Sequence, residues 1–218
     1  MAARCGNYIS GQIQRERGRV WVDMTTACIY DVKGGTLAQY DEIIAALGPQ
    51  VESPDGLVHV AMATGDGFRV FDVWTSAAAY EGFAPVLKPI IEAAGLGGSE
   101  VAEVGRVERL YVTESAGEVP AVGVYYRFAG MTAERYREVV SLVDFGAVPA
   151  STRRAHIACA VDGGMAVMAL WASEAAFRAF EPALQAAFAV AGVAAPAPEV
   201  GPVHRVGINP AAVQTGRA

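Results

Sequence analysis

Charge is scarce in this chain of 218 residues: Asp, Glu, Lys and Arg together make up 18%. The 17 basic side chains are outnumbered by 23 acidic ones, for a net charge of −6. Phosphate backbones are held by clustered Lys and Arg, and Arg153-Arg154 is the one adjacent basic pair after the N-terminal segment, so nucleic acid is not the expected partner. Cysteine is equally sparse. Cys5, Cys28 and Cys159 are odd in number and far apart, with no CxxC pair, which excludes a disulfide framework or a zinc ribbon and fits a reducing cytoplasm. No uncharged apolar run reaches the ~18–20 residues that a membrane-spanning helix needs. The opening residues, with Arg4, Arg15, Glu16 and Arg17, lack the apolar stretch of a secretory signal. Neither GxGxxG nor GxxxxGK[ST] occurs, and HExxH and GxSxG are absent too. Nucleotide loops, zincin chemistry and a nucleophile elbow are therefore not indicated.

What the chain does have is 53% hydrophobic residues, ample for a core, and internal similarity. Gly34, Thr36, Tyr40 and Glu42 recur as Gly130, Thr132, Tyr136 and Glu138. Residues 58–95 laid over 155–192 without a gap give 14 identities in 38 positions, among them His59 with His156, Trp74 with Trp171, Ser76 with Ser173 and Phe83 with Phe180. Chance does not produce that, and the expectation is a tandem duplication. The divisions are an N-terminal extension over 1–25, one unit over 26–114 and a second over 120–209. Within the extension, Val20-Trp21-Val22 has the composition of an additional strand.

Each unit reads alike. The runs 27–32 and 123–128 are β-branched and aromatic, hence strands. Thr36 and Thr132 open apolar patterns spaced three and four apart, the mark of capped amphipathic helices. Two strands follow, joined through Gly65-Asp66-Gly67 or Asp162-Gly163-Gly164, both good hairpin turns. Ser76 and Ser173 cap a second helix, and a strand closes each unit near 104–112 and 200–208. The expected fold class is α+β: two ferredoxin-like β-α-β-β-α-β units, each with helices on one face of a four-stranded sheet. Packing the free faces together would give an intramolecular pseudo-dimeric α+β barrel with a pocket between the sheets.

Alternation along 70–74 puts Val70, Asp72 and Trp74 on one face. A carboxylate sits badly in a helix-packed layer, so this face is expected to line the inter-sheet pocket. His59 and His156 are matched strand positions, readable either as structural histidines or as general bases near neutral pH. Tyr30 matches Tyr126, whereas Asp31 matches Arg127 and Asp72 matches Ala169. The first unit is thus the polar wall. Candidate catalytic residues are His59, Asp72 and Tyr30. Candidate substrate contacts are Trp74, Tyr126, Arg127, His156, Val167 and Trp171. A zinc site from His59, His156 and His204 lacks the usual short ligand spacing, so no metal is expected.

The segment Phe68-Arg69-Val70-Phe71-Asp72-Val73-Trp74-Thr75-Ser76, with Tyr80 and Phe83 after it and the His59 strand before it, resembles the antibiotic biosynthesis monooxygenase-like family of dimeric α+β barrel proteins. His156, Trp171, Ser173, Phe177 and Phe180 carry the same signature. The resemblance spans about 26–208. It implies a secondary-metabolism enzyme acting on a hydrophobic aromatic or polyketide-like small molecule, either a cofactor-independent monooxygenase or a cyclase. No cofactor is implied, flavin or haem being less favoured. A non-catalytic small-molecule-binding or accessory protein of the same fold is the alternative. The expected assembly is a monomeric pseudo-dimer or a homodimer.

Overall fold

The structure is a computed structural model that describes residues 14–16, 19–21, 25–98, 100–118 and 121–212. The first part of the chain forms β1 (Gln14–Glu16), β2 (Arg19–Trp21), β3 (Thr26–Lys33), α1 (Leu37–Leu47), β4 (Gly56–Thr64), β5 (Gly67–Trp74), α2 (Ala77–Ala93) and β6 (Glu100–Val112). The second part forms β7 (Val122–Ala129), α3 (Ala133–Leu142), β8 (Arg153–Val161), β9 (Gly164–Trp171), α4 (Glu174–Ala191) and β10 (Glu199–Ile208). The helices start where short polar side chains take up free backbone N–H groups. Thr36 accepts from Gln39, Ser76 from Ala79, Thr132 from Arg135 and Ser173 from Ala176. Each such cap is worth about 1 kcal/mol.

The strands do not form two sheets. Their hydrogen-bonded order is β6-β3-β5-β4-β10-β7-β9-β8, and β8 pairs back onto β6. The result is one closed, eight-stranded antiparallel barrel carrying four helices. This corrects the expectation of two ferredoxin-like units packed as an internal dimeric α+β barrel, and with it the tandem repeat of separate units. The physical reason lies in β6 and β10, which change partners midway. Between Glu100 and Arg106 β6 pairs with β3, and from Arg106 to Val112 it pairs with β8. Likewise β10 pairs with β7 over Glu199–Pro202 and with β4 over Val203–Ile208. A closed sheet leaves no free edge in the barrel and no separate second face to pack.

Glycine makes those crossovers possible. A Cβ added at Gly105 would stand 2.4 Å from the carbonyl oxygen of Ala160, and one at Gly201 would stand 2.2 Å from that of Ala63. Only a residue without a side chain allows the backbones to approach so closely. From the N-terminal segment, β2 adds to β6 through Val20 opposite Leu110, and β1 pairs with β2. The expected extra strand at Val20 and Trp21 is therefore present. Val22, and the residues read as lacking a secretory signal up to 13, lie outside the described residues.

Alternation sorts every strand between two environments. Ala27, Ile29, Val58, Val60, Met62, Phe71, Val73, Ile157, Met168 and Leu170 point into the barrel and pack a continuous interior core. At one end of the barrel Arg69 bridges Asp31 and Glu199, with its guanidinium 3.8 Å from the centre of the Tyr125 ring. Burial works against the Arg69 charge, but its two carboxylates outweigh that and raise its pKa. The pocket expected between two sheets is thus replaced by packed side chains. The opposite strand faces meet the helices: Tyr30, Phe68, Val70 and Trp74 under α1 and α2, and Tyr126, Phe128, Val167 and Trp171 under α3 and α4. Among the described residues no helix is long and apolar enough to cross a membrane.

Candidate functional site

The two helix layers are filled differently. In the second half, α4 buries Phe177, Phe180, Ala187, Phe188 and Ala191 against the sheet. In the first half α2 has no buried residue at all. Fifteen positions after its capping serine, α4 carries Phe188 where α2 carries Ile91. Four positions after the cap, Phe177 stands against Tyr80. With no α2 side chain buried against the sheet, a cavity of about 520 Å³ lies between the helices and the outer face of the barrel. That is within the usual range for small-molecule sites.

Trp74, Phe83, Leu87, Ile91 and Phe68 form its apolar walls. Its polar floor comes from adjacent strands and one helix. His59 on β4 lies directly opposite Asp72 on β5, and its Nδ1 is 2.7 Å from Asp72 Oδ1. Its Nε2 is 2.6 Å from the hydroxyl of Tyr40, brought down from α1. A carboxylate accepts, so Nδ1–H donates its hydrogen bond to Asp72 and Nε2 accepts from the Tyr40 hydroxyl. The side chains of His59 and Asp72 keep 24% and 14% of their exposure, so the relay opens onto the cavity. Burial pushes the Tyr40 phenol above its ordinary range, opposed by the charge of Arg205. Tyr30 donates to Tyr80 at 3.2 Å. Its phenol is also pushed up, by burial first and then by that hydrogen bond.

His59, Asp72, Tyr30 and Trp74 thus line one cavity, but on the helix-facing side of the sheet and not on the side expected. Asp72 faces the helix layer after all, because His59 satisfies its charge there. The other candidates do not join the cavity. Val167 and Trp171 are packed beneath α4. Tyr126 lies with them, and its hydroxyl, without a partner, is pushed up to about 12 by burial and by Glu181. Arg127 holds Glu103 at 3.0 Å and the backbone oxygen of Asp162 at a strand end. His156 pairs with Tyr136 at 2.6 Å, repeating the Tyr40–His59 contact, but Ala169 stands opposite it where Asp72 would be. His204 is held 2.8 Å from Asp41, so the three histidines do not converge. Among the described residues no group of three or more His, Cys, Asp or Glu is placed to hold a metal ion.

Tyr40 and the Arg205–Pro210 segment also line the cavity and are not among the residues expected there. A signal for Tyr40 existed: Tyr40/Tyr136 and His59/His156 recur together, and each tyrosine meets its histidine in space. Arg205 to Pro210 carried no local signal. They reach the cavity because β10 leaves β7 to pair with β4. Asn209 fastens them there by donating to the carbonyls of Pro54 and Gly56.

His156 has a consequence for stability. Desolvation, then the charges of Arg109 and Arg153, push it down from 6.5 to about 3. Its imidazole is neutral in the folded protein, while the unfolded chain takes up a proton near its ordinary value. Its contribution is therefore complete above pH ~6.5 and erodes as pH falls towards ~3. In urea titrations the stability gap between wild type and His156→Gln should narrow steadily below pH ~6.5. A gap independent of pH over that window would refute this.

No family model matches the chain, and no curated protein matches it. Solved structures do share its architecture. One named "Putative monooxygenase" from Fusobacterium nucleatum subsp. nucleatum superposes with a TM-score of 0.66 at 8% identity, covering 89% of this chain and 99% of its own. Another of that name, from Lactobacillus acidophilus, gives 0.62 at 8% identity over 89% and 98%. An anthrone oxidase-like protein gives 0.52 at 14% identity over 88% and 96%. At such identities the likeness establishes one thing: this chain has the barrel fold of those proteins.

Proposed function

We propose that the cavity under α2 is the active site of an oxygenase acting on a planar aromatic small molecule with an acidic C–H or phenolic proton. The observation that carries this reading is the Tyr40–His59–Asp72 relay opening onto an aromatic-walled cavity. The names of the structural neighbours favour oxidation over other chemistries.

The substrate lies against the wall made by Trp74 and Phe83, whose rings meet at 4.9 Å, with its acidic group at the Tyr40–His59 contact. Tyr40 takes the substrate proton as it passes its own to His59 Nε2, remaining a phenol throughout. The new imidazolium is stabilised by Asp72 at Nδ1. Bound against the apolar walls, the substrate displaces water from the relay, so its anion stays electron-rich. Such an anion reduces dioxygen by electron transfer; recombination of the radical pair gives a peroxide, which loses water. For a benzylic methylene the balance is CH₂ + O₂ → C=O + H₂O, with the abstracted proton returned to the departing water.

Anthrone is the first substrate to try, followed by its hydroxylated and carboxylated derivatives. Purified protein is expected to consume one dioxygen per quinone formed in an oxygen-electrode assay. An isomer or water-loss product without oxygen uptake would replace the oxygenase with a cyclase. Binding of every substrate without any turnover would leave a carrier.

A further inference from the structure

We propose that the ligand of this cavity carries a carboxylate or another fixed anionic group, and that Arg205 is the residue that selects it. The inference rests on the reading of the cavity as the substrate site and adds the charge of what enters it.

Arg205 lines the cavity and is itself exposed. Among the described residues, Arg69, Arg106, Arg127, Arg135, Arg154 and Arg178 each hold a carboxylate. Arg109 and Arg153 lie over the Phe145 ring. Arg205 has no hydrogen bond, ion pair or ring of its own in that set. Its neighbour His204 occupies Asp41, the nearby carboxylate of α1. A guanidinium presents a planar fork of donors suited to two carboxylate oxygens at once.

Its direction is set by the strand. The β10–β4 ladder shifts register between Val203 and Arg205, so Arg205 lies opposite Ala61. Ala61 belongs to the helix-facing layer. Two residues further on, Gly207 lies opposite His59, where a Cβ would come 3.4 Å from the Cβ of His59. A larger side chain there would crowd the imidazole; glycine leaves it open on this side. Two residues of extended strand span about 7 Å, roughly the width of one aromatic ring with its substituents. The site thus accommodates an aromatic acid whose carboxylate meets Arg205 while its reacting proton meets Tyr40 and His59. The charge of Arg205 is also the strongest one acting on the Tyr40 phenol, which places the two groups in one site. Glu52, on the same lining, is exposed, and solvent screens its opposition.

The test is calorimetric titration of the full chain with 2-naphthoate and with 2-naphthalenemethanol, which differ in charge and little in shape. The naphthoate is expected to bind about tenfold more tightly, as for a charge-assisted hydrogen-bonded pair. Arg205→Gln should abolish that preference while changing the affinity for the alcohol by no more than about twofold, and Arg205→Lys should retain part of it. Equal affinities in the wild type, or a preference that survives in Arg205→Gln, would overturn the proposal. Because no turnover is measured, a preference lost in Arg205→Gln upholds the anchor even if anthrone is not oxidised. If neither compound binds, the cavity is not a ligand site and the anchor falls with it.

Discussion

Asp72→Asn is expected to lower turnover by about 10²–10⁴-fold, the usual contribution of a positioned acid–base group, with substrate affinity changed only a few-fold. Asparagine keeps the size of the side chain but brings an NH₂ group and no charge. In place of the carboxylate oxygen 2.7 Å from its Nδ1, His59 then meets a neutral amide, whose NH₂ group would turn the imidazole to the wrong tautomer, and the imidazolium formed in the reaction loses its counter-ion. The loss should therefore appear in kcat rather than KM. His156→Gln is the matched control. His156 has the same tyrosine contact, but Ala169 stands opposite it and it lies outside the cavity lining, so its replacement should leave turnover within about twofold. Oxygen consumption and product formation, measured under saturating and limiting substrate, check both variants. An Asp72→Asn protein with kcat near wild type would sink the relay.

Filling the cavity should have an effect as large by a different route. Ile91→Phe places on α2 the side chain that α4 already carries at Phe188. Phe188 is 4% exposed and meets the Phe128 ring at 5.6 Å, whereas Ile91 borders the cavity. The variant should lose ligand binding and turnover by about 100-fold or more, since a ring cannot share space with a substrate. Stability should hold or rise by up to ~1 kcal/mol, because the added carbons are buried without displacing packed atoms. The converse exchange, Phe188→Ile, removes ring atoms from a packed layer and should cost about 1–3 kcal/mol. Thermal unfolding and naphthoate titration of the two proteins read both effects. A destabilised Ile91→Phe protein that still binds would mean the cavity is not where the ligand goes.

Much of the local structure was legible. Thr36, Ser76, Thr132 and Ser173 announced their helices because a cap is satisfied within four residues of itself. The two hairpin turns and the alternation along β5 were readable for the same reason. The polarity of Asp72 misled because it was weighed alone. A carboxylate is costly in a helix-facing layer only if no partner is there, and its partner came from the next strand, with Tyr40 behind it from α1. The two ferredoxin-like sheets were an equally local reading. Nothing inside Glu100–Val112 or Glu199–Ile208 says that half of each strand will pair elsewhere.

The sequence by itself determined which segments are helix and strand, which residues alternate together, and that His59, Asp72, Tyr30 and Trp74 occupy one neighbourhood. Those properties depend on period and on contacts between close or directly paired positions. Only the tertiary structure decided that the sheet closes on itself, that its interior is packed, and that the cavity lies outside it under α2 with Arg205 at hand. Closure depends on two strands exchanging partners across the chain, and a cavity is a difference of volumes summed over distant side chains; neither is a property of any one segment.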